Sequence, residues 1–190
     1  MHIFLYLCTY FNGDTMYIKI KIISAIITII LTFPFHFVYD LFPNVFTVAF
    51  FPINESVWEH LKLFITPAII AYFVELFIMK KKRICIQNNY LALLIEIFSS
   101  IGFFMLIFSP VHYLIGENFI FNISLMIISI VLSKYFGYLL IKEKHELLLN
   151  IISIPLLLLL IIIMIVYTFK PQKSALFVDP ATGESGYKEK

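Results

Sequence analysis

The sequence predicts an all-α integral membrane protein with about five transmembrane helices and one short re-entrant or interfacial segment. Composition is the first reason. Of 190 residues, 61% are hydrophobic and only 14% charged, against about a quarter charged in an ordinary soluble domain. Distribution is the second. The apolar residues are blocked into long runs, with mean hydropathy +0.95, which is how helices that cross a bilayer read. The third is that no stretch has the composition of a soluble domain and no internal repeat is visible. The lipid bilayer is therefore the first partner. A net charge of +2, with no basic stripe interleaved with exposed aromatics, argues against nucleic acid. A protein partner or a homo-oligomer is compatible with all of this.

Taken in order, residues 1–15 form an N-terminal extension. His2 to Phe11 is apolar but too short to span, and it lacks both the basic flank and the cleavage site of a signal peptide. Met16 opens Tyr-Ile-Lys-Ile-Lys, a natural helix flank, so Met1 and Met16 are alternative starts, with Met16 favoured. The bundle is expected over 16–170. Its first span runs from about 18 to 39, with Lys19 and Lys21 snorkelling to the near interface. His36 and Asp40 share a helix face if that helix continues past Pro34; an ordinary interfacial pair is the alternative.

Residues 41–53 lie around Pro43 and Pro52. They are too few to span and too apolar for a free loop, which suits a re-entrant or interfacial segment. The second span runs from about 58 to 79 and bends at Pro67. Asn54 or Ser56 can cap it, with Glu55 and Glu59 favourable at its positive end. Further spans follow at about 90–110, 119–141 and 147–169. The link 111–118 carries His112 and Glu117. A polar tail, 171–190, ends the chain. Cys8 and Cys85 have neither metal nor disulfide spacing and read as small apolar residues.

Five spans put Lys19, Lys21, Lys80, Lys81, Lys82, Arg83, Lys142 and Lys144 on one side of the membrane, with Lys62, Lys170 and Lys173 near the other. The positive-inside rule makes the first side cytoplasmic. The N-terminus is then cytoplasmic and the C-terminus extracytoplasmic. His36, Asn54 to Lys62, His112 and Asp179 all fall at the outer face.

The densest polar stretch is Asn54-Glu55-Ser56-Val57-Trp58-Glu59-His60-Leu61-Lys62. On a helix Glu55 and Glu59 share a face, and Lys62 lies three beyond Glu59. Paired carboxylates raise one another's pKa and a nearby cation lowers both, so Glu55, Glu59 and His60 are candidates for acid–base catalysis. Asn54, Glu55, Glu59, His60, Lys62 and Asp179 are equally candidates for binding a ligand. If packing joins His36, His60 and His112, a divalent metal becomes the cofactor they admit. No His-Glu-x-x-His or Gly-x-Ser-x-Gly motif is present. Helix capping with an interfacial belt anchored on Trp58 is the plainer reading. A second polar group, Glu75, Glu96 and Lys134, lies roughly 6–11 Å deep by helix rise; it suits either a proton or ion relay or a staple within the bundle. In the tail, Asp179-Pro180-Ala181-Thr182-Gly183 is a turn sequence. Leu176 and Phe177 before it can dock, folding the tail as a lid that brings Asp179 near Glu59.

The nine-residue core, together with Leu176-Phe177 and Asp179-Pro180-x-Thr182-Gly183, resembles a family of small bacterial multi-pass membrane proteins known only as a domain of unknown function. The likeness covers most of the chain after Met16. It implies about five spans, the core before span two and the aspartate-bearing tail. It also implies a glutamate at Glu75 and a neutral polar residue where this chain has Lys134, which counts against a Glu–Lys relay. No activity comes with it. The expectation is a plasma-membrane protein whose outer-face site binds an ion, a lipid head group or a small polar ligand. A membrane-embedded, metal-dependent hydrolase and a structural subunit are the alternatives.

Overall fold

A computed structural model describes residues 13–84, 87–116, 118–143 and 146–188. Most of the N-terminal extension, Glu117, Cys8, Cys85 and Lys144 lie outside them. The described chain is all-helical, and five stretches are long and apolar enough to cross a membrane: Thr15–Phe35, Val57–Lys81, Asn89–Ile115, Phe119–Lys142 and Leu147–Phe169.

Helix α1, Gly13–Phe35, stops sooner than its apolar run suggests. Pro34 has no N–H to give the Ile30 carbonyl, and Phe37 N–H turns back to Pro34 O at 3.1 Å. The chain resumes as a single turn, α2, Val38–Leu41. The condition for His36 and Asp40 to share a helix face, a helix that continues past Pro34, is therefore not met. Between Pro43 and Pro52 lies α3, Val45–Phe50. Asn44 and Thr47 hold its start by a reciprocal capping box. It buries Thr47 and Val48 and leaves Val45 and Phe46 outward.

The next helix forms in two pieces. Ser56 caps α4, Val57–His60, by accepting from Glu59 N–H, and Asn54 Oδ1 accepts from Ser56 N–H. At Leu61 bonds to the third residue back, Leu61 to Trp58 and Phe64 to Leu61, tighten the chain. Helix α5, Lys62–Lys81, then runs through Pro67. The Leu63 carbonyl that Pro67 cannot serve takes the Thr32 hydroxyl of α1 at 3.4 Å. Glu55 precedes the first turn, so it does not share a helix face with Glu59 as the spacing predicted.

Helix α6, Asn89–Ile115, also corrects the sequence reading. It passes Pro110 and absorbs most of the expected 111–118 link. One lost hydrogen bond does not end an apolar helix whose other carbonyls keep their donors. Gly116 ends it instead, at φ 85°, a left-handed position that glycine takes without strain. Helix α7, Phe119–Lys142, is capped by Asn118, and α8, Leu147–Phe169, follows.

Helices α1, α5, α6 and α7 close into a ring, and α8 packs outside against α6. Within the ring, α5, α6 and α7 bury an apolar core that includes Phe64, Leu93, Ile97 and Ile130, and α1 turns a polar stripe inward. On α1, Ile18, Ile22, Ile23, Ile26 and Ile30 are exposed, whereas Lys21, Ser24, Thr28 and Thr32 are buried. Such exposed isoleucines suit a lipid environment, whereas Lys21, Thr28 and Thr32 find their partners within the bundle. Lys21 therefore does not snorkel as expected, while Lys19 on the other face is exposed.

Candidate functional site

The break after Pro34 and the cap before α4 bring two distant pieces of chain together at the end of the bundle where the tail lies. His36 Nε2 stands 3.0 Å from His60 Nε2. Glu55 places Oε1 3.7 Å from His36 Nε2 and Oε2 3.4 Å from His60 Nε2. His60 Nδ1 is 2.9 Å from the Ser56 carbonyl oxygen. A carbonyl only accepts, so a proton sits on Nδ1, and Nε2 faces His36 and Glu55: in the charged ring it donates to Glu55, and in the neutral ring it offers a lone pair. The Glu55 carboxyl is held below its usual range, chiefly by the hydrogen bond from His60. His36 is also lowered, by burial first and then by the charge of His60.

Three donors so arranged fit a divalent metal. A tetrahedral zinc ion with ligands at about 2.0–2.1 Å needs donor atoms about 3.3 Å apart; the two imidazole nitrogens are near that spacing, and each meets a different oxygen of Glu55, Oε1 for His36 and Oε2 for His60. His36, Glu55 and His60 each offer a ligand atom, all within 4.8 Å of one another. The backbone bond at His60 Nδ1 is the kind of outer contact that fixes a ligating imidazole. Beside the triad opens a cavity of about 510 Å³ between α1, α5, α6 and α7, with Pro180 and Ala181 of the tail at its edge.

The other residues singled out in the sequence are placed as follows. Glu59 and Lys62 engage each other at 2.6 Å and are buried. Lys62 also donates to the carbonyls of Val48 and Phe51, and Glu59 accepts from Thr168 of α8 and from Ile53 N–H. The pair ties α3, α5 and α8 into one knot. Asn54 orients the capping turn. His112 lies on the last turn of α6, exposed and stacked on Phe108. Asp179 spends its carboxylate on its own turn, accepting from Ala181 N–H and the Thr182 hydroxyl. Phe177 seats that turn on Trp58 with ring centroids 4.7 Å apart.

Glu75, Glu96 and Lys134 do meet, and Lys21 joins them. Lys21 Nζ is 2.5 Å from Glu75 Oε2 and 2.5 Å from Glu96 Oε1; Lys134 Nζ is 2.7 Å from Glu96 Oε2 and 3.6 Å from Glu75 Oε1. One charge comes from each helix of the ring. Gly137 on α7 makes room, since a Cβ there would run into Glu96. Sequence reasoning missed Lys21 and Thr168. The signal for Lys21 was available: Lys21, Ser24, Thr28 and Thr32 form a polar stripe at helical spacing, opposite a stripe of isoleucines. Nothing local marks Thr168 as a partner of Glu59.

Fold and site together define a class: a helical protein of five bilayer-length spans with a His–Glu–His cluster at one end of the bundle. The chain belongs to a family of unknown function, DUF6512, whose family model matches residues 10–187. No curated protein and no solved structure matches it.

Proposed function

We propose that the protein binds one divalent metal ion of the zinc class through His36, His60 and Glu55, at the extracytoplasmic face of a bacterial plasma membrane. The observation that carries this reading is the convergence of those three side chains. Two imidazole nitrogens and a carboxylate at these separations, with one imidazole oriented by the Ser56 carbonyl, have the chemistry of a three-ligand zinc site. The fourth position is left to water or a ligand. The orientation rests on the Lys80, Lys81, Lys82 and Arg83 run at the opposite ends of the spans. Glu59 and Lys62 act as the frame that holds the segment bearing Glu55 and His60.

Metal content of detergent-purified protein tests it. Wild type should carry about one zinc per chain, and His36→Ala and His60→Ala should each lose it. Absence of any metal from wild type after zinc loading would sink the reading. The open fourth position and the adjoining cavity favour a second reading, a metal-dependent hydrolase acting on lipid. A metal-bound water is a nucleophile near neutral pH. Hydrolysis of fluorogenic lipid esters, lost in His60→Ala and restored by neither zinc nor cobalt, would move that reading ahead.

A further inference from the structure

The cavity beside the triad is polar at one end and mostly apolar along the rest, where Thr32 and Asn122 are the polar side chains in the lining. His36, Glu55 and His60 stand at its mouth. The wall beyond them is built from Phe64 of α5, Phe104 and Phe108 of α6, and one face of α7. That face is Phe119, Asn122, Ile123 and Met126, the spacing of a single helical stripe, and it runs for about 10 Å at 1.5 Å per residue. Phe33 and Phe37 flank the opening on the α1 side. They and Phe119 are exposed, Phe33 and Phe119 in the end turns of their spans and Phe37 just past one, where large apolar side chains suit the edge of a bilayer. The opening therefore faces the bilayer as well as the aqueous end. At about 510 Å³ the cavity falls within the range of small-molecule sites, which are mostly apolar with a few convergent polar groups.

We propose that this cavity binds a single-chain amphiphile with an anionic oxygen head, its chain along the α7 stripe and its carboxylate or phosphate on the metal. The proposal rests on the metal reading above. A divalent ion held by two neutral imidazoles and one carboxylate leaves one positive charge at the mouth, which selects an anionic head over a cationic one. The apolar wall begins where the triad ends, so a ligand that reaches the metal lays whatever follows its head against Phe104, Phe108 and Ile123. A purely polar ligand would leave that wall unfilled, and a hydrocarbon would leave the charge unanswered. The chain enters sideways between Phe33 and Phe119 rather than through water.

Equilibrium binding of radiolabelled laurate and of dodecyl phosphate to zinc-loaded protein tests this, with dodecyltrimethylammonium and acetate as competitors. The expected result is one anionic amphiphile per chain. Acetate and the cationic amphiphile should compete at least tenfold more weakly. Ile123→Trp, which fills the stripe, should lower laurate affinity at least tenfold with zinc content unchanged. Met126→Phe, on the same face, gives the same answer should the first variant fail to fold. His60→Ala should lose zinc and weaken laurate together. Binding that ignores the head group, or that survives both stripe variants with zinc in place, is partition into detergent and overturns the proposal alone. A wild type without zinc overturns it together with the metal reading. A preference for laurate or for dodecyl phosphate distinguishes a fatty-acid-like from a phospholipid-like head.

Discussion

Glu59 and Lys62 are one helical turn apart and almost wholly removed from solvent, and that decides what their substitution does. Each charge was taken out of water and is repaid only by the other and by Thr168, Ile53, Val48 and Phe51. Lys62→Met leaves Glu59 buried without a cation and is expected to cost about 3–5 kcal/mol. The double variant Glu59→Gln, Lys62→Met should cost less than the sum of the singles, since neither charge is then stranded; unfolding in detergent measures both. His36 carries the pH dependence. Its folded value lies below the ordinary 6.5, so the unfolded chain takes up a proton first as pH falls. This contribution to stability is whole above 6.5 and is lost as pH drops through His36's own lower value. Metal-free His36→Gln should accordingly lose less stability than wild type between pH 7 and pH 5. In sequence these residues were visible as a polar cluster, and their roles were not. Glu55 and Glu59 look equivalent four apart on paper. The cap at Ser56 puts one before the helix, facing two histidines, and the other within it, facing Lys62.

At the level of elements, hydropathy located the helices because apolar length is a local property of the chain. It could not say where each one breaks or which face turns inward. Pro34 and Pro110 have the same chemistry. The first ends α1 within two residues, while the second leaves α6 running to Gly116. The break at Pro34 aims His36 at His60. Pro34→Ala restores a donor to the Ile30 carbonyl and lets the helix extend, rotating His36 away from its partner. Zinc affinity should fall about tenfold or more, the range expected when a ligand loses its orientation, while helix content by circular dichroism holds or rises slightly. Faces were harder still to read, because in lipid the usual pattern inverts. Lys21, Ser24, Thr28 and Thr32 point inward, and Ile18, Ile22, Ile23, Ile26 and Ile30 are exposed, although Ile20 is buried beside Lys21. Read as a soluble amphipathic helix, α1 would be placed inside out. The four-helix ion cluster depends on that inversion. Lys21→Met removes one of the two cations shared by Glu75 and Glu96 and should destabilise the bundle by about 3–5 kcal/mol, more than Lys19→Met on the exposed face.

For the whole molecule, the consequential quantity is which end of the bundle faces outward, because the triad, the cavity mouth and the tail all lie at one end. The chain's charges argue it one way. Lys80 and Lys81 close α5, Lys82 and Arg83 follow it, and Lys142 closes α7; all lie at the end away from the triad. The tail end holds Lys62 as well, but that lysine is neutralised by Glu59 within the bundle and faces no head group. With Lys62 removed from the count, the tail end keeps Lys170, Lys173, Lys188 and Lys190, of which only the first two lie close to the end of α8, against the denser run at the other end, and this favours the tail at the outer face. The native cysteines make this measurable. Cys85 lies in the link after the basic run, and Ser174 lies in the tail beside the 3-10 turn Ala175–Phe177. In intact cells a membrane-impermeant maleimide should label Ser174→Cys at once, and Cys85 only after the membrane is opened. Labelling in the reverse order would put the triad in the cytoplasm and would make the cavity mouth a site for the inner leaflet.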